Sequence, residues 1–332
     1  MNPKVSFIVP CYNLAHLLPD CVNSILSQSY NDFELLIMDD CSPDRTPEVA
    51  QSFGDPRVRH IRNEHNLGHL QNYNKGIGLA RGEYVWLISA DDRLRRPYVL
   101  ERYVNLLDNH PEIGYVFCPA VAIEGGRETK FLSYSSPAEQ DMIFRGHDFL
   151  KILLKFDCVV AASGMARKAC YEKLSLFPLD LPHAGDWYLW CLFAMHYDVG
   201  YFAEPMVNYR HHDLSMTNSL RNRDNYLCIN DSIAALQRFN EQAKAAGHTQ
   251  LVRQCHDTIV SMCKYEGDRA YWRHDFSHAL EYYRVALKHN PRILSVWMKY
   301  LLLHLGTVGM RLRGTRFGIR RLAKAMQLRQ LD

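Results

Sequence analysis

The chain has 332 residues, enough for two domains with sizeable cores. At 47% hydrophobic and 23% charged it has ordinary globular usage, which excludes disorder, and a net charge of +3 is too small to mark a nucleic-acid binder. Its ten cysteines contain no CxxC pair, so no zinc ribbon or dithiol redox motif is written in it. Cys118 and Cys191 stand in apolar segments and read as small buried hydrophobes of a reducing compartment. The apolar run of MNPKVSFIVP is too short for a signal peptide and leads straight into a predicted strand. The longest apolar stretch, Ile293 to Met310, is interrupted by Lys299, His304 and two glycines and is not expected to span a membrane.

The first third alternates strand and helix signals. Val5 to Val9 is a short apolar run stopped by Pro10, and Leu17 to Leu26 has helical periodicity. Phe33 to Met38 is a second apolar run, and Thr46-Pro47 reads as an N-cap followed by proline at the first helical position. Val58 to Ile61, Tyr84 to Ser89 and Ile113 to Cys118 read as further strands, with helices at Gly68 to Ala80 and Pro97 to Asn109 between them. Such alternation predicts an α/β fold, a mostly parallel sheet covered by helices, with ligands at the carboxyl ends of strands. The pattern weakens from Gly125 to Ser163 and returns as an aromatic helix around Trp187 and Trp190. After Arg221 the chain turns helical, with Val252 to Tyr271 and His278 to Lys288 as helices and HALEYYRVALKHNP resembling one tetratricopeptide-type unit. The last segment, Arg311 to Arg329, carries seven basic residues and no acid.

The strand ends carry the chemistry. VSFIVPCYN ends a strand in Pro10, Tyr12 and Asn13; on its own this is equally an ordinary strand-to-helix turn. In FELLIMDDCSPD, Asp40 at a strand end can accept the ring N–H of uracil, thymine or guanine, or it can cap a turn with Ser42 and Asp44. In LISADDRL, Asp91 and Asp92 point in different directions from an extended segment, so one can bind a divalent cation while the other reaches a ribose or a metal-bound water. The competing reading is a helix cap neutralised by Arg93, Arg95 and Arg96. Asp186 in HAGDWYLW is either a base whose affinity for a proton is raised by its aromatic surroundings or the N-cap of that helix.

Taken together and in order, VSFIVPCYN, FELLIMDDCSPD, NLGHLQNYNKG, ARGEYVWLISADD, AGDWYLW and YRHHDLSMT resemble the family 2 glycosyltransferases of the GT-A fold, over roughly residues 3 to 217. The resemblance implies a glycosyltransferase domain at 1–220, with a nucleotide-binding half at 1–120 and an acceptor half at 121–220, followed by a helical C-terminal region at 221–332. It implies that Asp40 holds the nucleotide base, that Asp92 ligates a Mn2+ or Mg2+ ion in a DxD-type motif, and that Asp91 sits near the ribose or the metal shell. Asn66, Gly68 and Asn72 match the segment beside the nucleotide; where many relatives carry an arginine in this stretch, His69 and Gln71 stand nearby. Asp186 matches the general base of inverting members, and His212 matches a histidine that completes the metal shell or neutralises the diphosphate, with His211 and Arg210 as competitors.

The implied reaction is transfer of a sugar from a nucleoside diphosphate sugar, of which UDP sugars are the commonest, to a hydroxyl of a glycan or lipid-linked glycan in cell-surface polysaccharide synthesis. Expected surroundings are the cytoplasmic face of a bacterial inner membrane. The 311–329 segment would serve as an anionic-lipid contact, a docked helix or a dimer contact. A nucleotidyltransferase is the competing enzyme class, but the first strand is followed by PCYNLAHLL rather than a glycine-rich basic loop. A nicotinamide dehydrogenase lacks its GxGxxG. The non-enzymatic alternative is a binding module of the same fold.

Overall fold

The computed structural model describes residues 2–212, 215, 220 and 226–313, with side chains through 304. The chain divides into two compact units, Met1–Leu251 and Val252–Asp332.

The first unit is built on an eight-stranded sheet of mostly parallel strands. In chain order its strands are β1 (Val5–Cys11), β2 (Phe33–Asp39), β3 (Val58–Arg62), β4 (Tyr84–Leu87), β6 (Ile113–Phe117), β9 (Met142–Phe144), β10 (Met165–Arg167) and β11 (Asp198–Tyr201). Their spatial order is β3-β2-β1-β4-β10-β6-β11-β9. The first four are mutually parallel, in the register Val5↔Phe33 and Val5↔Tyr84. β1, β2 and β4 are buried along their whole length, which explains why they read as continuous apolar runs rather than alternating ones. A smaller sheet, β5-β12-β7-β8, joins β5 (Arg93–Leu94), β7 (Ala120–Glu124), β8 (Arg127–Phe131) and β12 (Val207–Arg210).

Helices α1 (Leu18–Leu26), α2 (Thr46–Gln51), α3 (His69–Leu79) and α4 (Val99–Asn109) connect the early strands. They are followed by α5 (Gly146–Leu153), α6 (Lys168–Lys173), α7 (Gly185–His196) and α8 (Leu227–Ala245). A stack of rings, Phe7 on Trp86 (5.4 Å), Trp86 on Tyr103 (4.7 Å) and Tyr103 on Phe202 (5.6 Å), packs one face of the sheet against α4. On β2 the buried Glu34 accepts from Ser6 Oγ (2.7 Å) and from the Arg81 main chain (2.8 Å) and Nε (2.9 Å). This ties the α3–β4 turn to β1, where a Cβ on Gly82 would meet the Ser6 nitrogen at 2.6 Å.

Several local expectations change. Thr46 is not an N-cap acceptor; its main-chain N–H and hydroxyl both donate to Asp44 Oδ1 (3.0 and 2.6 Å), because the longer carboxylate arm of Asp44, two residues earlier, reaches forward over the turn. The patternless stretch from Gly125 to Ser163 holds β8, β9 and α5; β8 is exposed throughout, so it carries no apolar alternation to read.

The second unit contains α9 (Thr249–Trp272, which begins just before its boundary), α10 (Phe276–His289) and α11 (Leu294–Arg313). Asp275 caps α10 by accepting from His278 N. No helix among the described residues is long and apolar enough to cross a membrane. The basic segment 311–329 lies, beyond Arg313, outside the described residues.

Candidate active site

Because β1, β2 and β4 run parallel, their carboxyl ends meet at one edge. Asp40 follows β2, its main chain donating to Cys11 O (2.9 Å), and Ala90 N donates to Pro10 O (3.1 Å). Tyr12 is exposed, and Asn13 adopts a left-handed φ of 58° with a buried Oδ1 that has no hydrogen-bond partner. A strained turn with an unsatisfied acceptor is a recurrent sign of a ligand site.

Asp39 and Asp40 have separate tasks. Asp39 accepts from Ser42 N (2.8 Å) and pairs with Arg62 (2.7 Å), so it is the residue that caps the turn. Asp40 Oδ1 accepts from Asn63 Nδ2 (2.7 Å) and Leu67 N (2.8 Å), and Oδ2 from Gly68 N (2.9 Å). One lone pair of Oδ2 is left for a further donor. Gly68 has a φ of +80°, which only glycine adopts without strain, and that brings its N–H to Asp40. Asn66 is exposed and accepts from Gly68 N (3.0 Å). Asn72 is buried, bonded to Met38 O (2.9 Å) and Asn63 (2.9 Å), so it braces the partner of Asp40 from below. His69 supplies no cation: burial lowers its pKa, and its Nε2 meets Pro182 O at 2.9 Å.

The adjacent acids after β4 are not neutralised by the three following arginines. Arg93 pairs with Asp20, Arg95 with Glu128 and Arg96 with Glu204. Their partners come instead from the end of β12. Arg210 N donates to Asp92 Oδ1 (2.8 Å), Arg210 Nε to the Asp91 carbonyl (2.6 Å), and His212 Nε2 meets Asp91 Oδ2 (2.9 Å). Arg210 spends the rest of its guanidinium on Asp20 (2.5 Å). Burial and then the charge of Asp91 push the Asp92 carboxyl well above its ordinary range, against the pull of Arg210.

Asp91 Oδ1 is buried without a hydrogen-bond partner. An anionic oxygen in that position fits a divalent cation, which takes oxygen ligands. No group of three His, Cys, Asp or Glu side chains is gathered to hold a metal among the described residues. Asp91, Asp92 and His212 would therefore hold one only together with phosphate oxygens or water.

Asp186 lies in the first turn of α7, partly exposed, its Oδ1 accepting from Trp187 N (2.8 Å). Burial raises its pKa and the charge of Asp231 adds to this, while His183 and the Trp187 N–H oppose it. Asp157 is a second carboxyl raised well above its usual range, by burial and then by Asp186. The two halves of the site meet at Tyr73, packed between His69 (5.5 Å) and Phe177 (5.4 Å). Its hydroxyl is raised by burial and then by the charges of Asp91, Asp186 and Asp92, so all three acids act on one atom. Tyr73, Asp157 and Asp231 escaped the sequence reading. Only the position of Tyr73 five residues after Gly68 offered a signal there.

A family model described as glycosyl transferase family 2 matches residues 6–173. An uncharacterised glycosyltransferase of Rickettsia typhi is 28% identical over 225 residues, 67% of this chain and 68% of the relative. The succinoglycan biosynthesis protein ExoO of Rhizobium meliloti is 38% identical over 106 residues, 32% of this chain and 30% of its own. Among solved structures, S. aureus TarS 1-349 in complex with UDP-GlcNAc superimposes with a TM-score of 0.65 at 16% identity, covering 95% of this chain and 93% of that one. With half of its length matched by the family model, and with the fold and strand-end acids described above, this chain belongs to glycosyl transferase family 2.

Proposed function

We propose that this glycosyltransferase moves a sugar from a nucleoside diphosphate donor, a UDP sugar in the first instance, to a hydroxyl of a glycan or lipid-linked glycan, with inversion at the anomeric carbon. The product belongs to a cell-surface polysaccharide made at the cytoplasmic face of the membrane. The observation that supports this reading best is the buried Asp91 Oδ1 left without a hydrogen-bond partner at the strand-end edge, beside Asp92 and His212.

Asp40 accepts the ring N–H of the base through Oδ2, while Pro10, Tyr12 and Asn13 line the end of β1 beside it. Asp91, Asp92 and His212 would hold a divalent cation, which when bound would supply Lewis-acid stabilisation of the leaving diphosphate. Asp186 commits Oδ1 to α7, leaving Oδ2 to take the proton of the attacking hydroxyl. Its raised pKa makes it a stronger base than an exposed aspartate.

Calorimetric titration of UDP, dTDP, GDP, ADP and CDP, each with and without Mn2+, tests the reading on the wild type and Asp92→Ala. Metal-dependent binding of one base that carries a ring N–H, lost in the variant, is the expected result. Absence of binding by every nucleotide under both conditions would overturn it.

A further inference from the structure

The first turn of α7 bears Asp186, yet its N-cap is Ala184, which has no side chain to satisfy the exposed N–H groups of a helix start. The main chain that leads into this turn is held instead from α8, 47 residues beyond Ala184. Asp231, buried at 7% exposure, accepts from His183 N (2.6 Å) and Ala184 N (2.7 Å) through the same oxygen, Oδ2. Two turns later on the same helix, Arg238 forks onto Asp180 (3.0 and 2.6 Å) and lies over the Tyr188 ring at 5.8 Å. The opposite side of this strap is fixed by α3: Asn74 exchanges two hydrogen bonds with Phe177 (2.8 and 2.9 Å), and His69 meets Pro182 O. Residues 177–188 are thus held from α3 and α8, and from the end of α5, where Leu153 O accepts from Trp187 Nε1 (2.8 Å); Asp231 holds the main chain just before Asp186.

We propose that Asp231 is a positioning residue for the catalytic base: from a distant helix it holds the main chain entering α7, at His183 and Ala184, and so fixes where the Asp186 carboxylate points. This rests on Asp186 being the base. Burying a carboxylate is costly unless it is hydrogen-bonded, and the two short bonds to the α7 entry supply that compensation. Its charge also acts on Asp186. The titratable groups that face Asp186 are Asp157, Asp231, His183, Tyr73 and Tyr171; Asp231 works against ionisation and His183 for it.

The test compares wild type, Asp231→Ala and Asp231→Asn. The readout is release of nucleoside diphosphate from UDP-N-acetylglucosamine, UDP-glucose, dTDP-rhamnose and GDP-mannose with Mn2+, water serving as acceptor. An asparagine oxygen can accept both N–H bonds; an alanine accepts none. Asp231→Ala is expected to lose about 10²-fold in kcat with the donor KM unchanged, as for a base displaced by about an ångström. Asp231→Asn recovers most of kcat, and its acid limb moves to lower pH because a negative neighbour of Asp186 is gone. Wild-type kcat in Asp231→Ala overturns the inference. So does parallel loss of kcat and KM in both variants, which marks a structural role alone. If the wild type releases nothing from any donor, the reading of Asp186 as base fails first and this inference falls with it.

Discussion

At the scale of single residues, the site gathers carboxyls whose affinity for a proton burial raises, Asp92, Asp157 and Asp186 among them. Asp186 has a raised pKa, so the folded chain holds its proton more tightly than the unfolded chain does. Between the ordinary carboxylate value and the raised one, the folded state carries the extra proton, and stability falls as pH rises through that window. Above it the ionised Asp186 is a net cost that catalysis requires. Asp186→Asn is therefore expected to lower kcat by about 10²–10⁴-fold while its melting temperature at neutral pH rises, read by turnover and calorimetry on the same sample. Loss of both activity and stability would argue instead that Trp187 N–H needs a charged cap. Asp157 is pushed up by burial and then by the charge of Asp186, and further than Asp186 itself, so it is the neutral member of the pair when Asp186 ionises. The pH–rate profile of Asp157→Asn should therefore keep its plateau and its acid limb; a limb moved to lower pH would show Asp157 ionised beside Asp186.

At the scale of elements, the parallel core was legible because β1, β2 and β4 are buried on both faces and so read as unbroken apolar runs. The acids that follow them were legible for the same reason: Asp40, Asp91 and Asp92 are polar interruptions at fixed places. The antiparallel β10, three residues inserted between β4 and β6, was not legible, since its partners lie about 50 and 80 residues away and nothing local encodes the pairing. Nor could the sequence assign Arg93, Arg95 and Arg96, whose acids come from α1, β8 and the β11–β12 turn. Asp231 sits mid-helix, where an aspartate reads as a solvated residue; only the packing of α8 on α7 brings it to the main chain entering α7. Glu34 is likewise a charge inside an apolar strand, explained by Arg81 and Ser6. Glu34→Ala leaves the α3–β4 turn without its acceptor and should cost about 2 kcal/mol, a drop of about 4–8 °C in melting temperature. A change below 1 °C would show that Ser6 alone holds the turn.

At the scale of the whole molecule, the first compact unit runs to Leu251 and so takes in α8 together with the site it braces. Stability is carried by packing rather than by cross-links: all ten cysteines are free, and eight of them are buried. Melting curves with and without reductant should coincide; a reductant-dependent shift would reveal a disulfide formed in solution. Burial pushes the thiols of Cys118 and Cys11 up to about 11 and about 12, which leaves them unreactive at neutral pH. Cys41 is different in place: half-buried, at a left-handed φ of 60°, it directly follows Asp40 and touches Arg62. Slow alkylation with a maleimide, followed residue by residue by mass spectrometry, therefore gives a built-in footprint of the base pocket. A nucleotide seated on Asp40 should shield Cys41 and leave the rate at Cys228 untouched, so occupancy of the site can be read in the native chain without labelling the ligand.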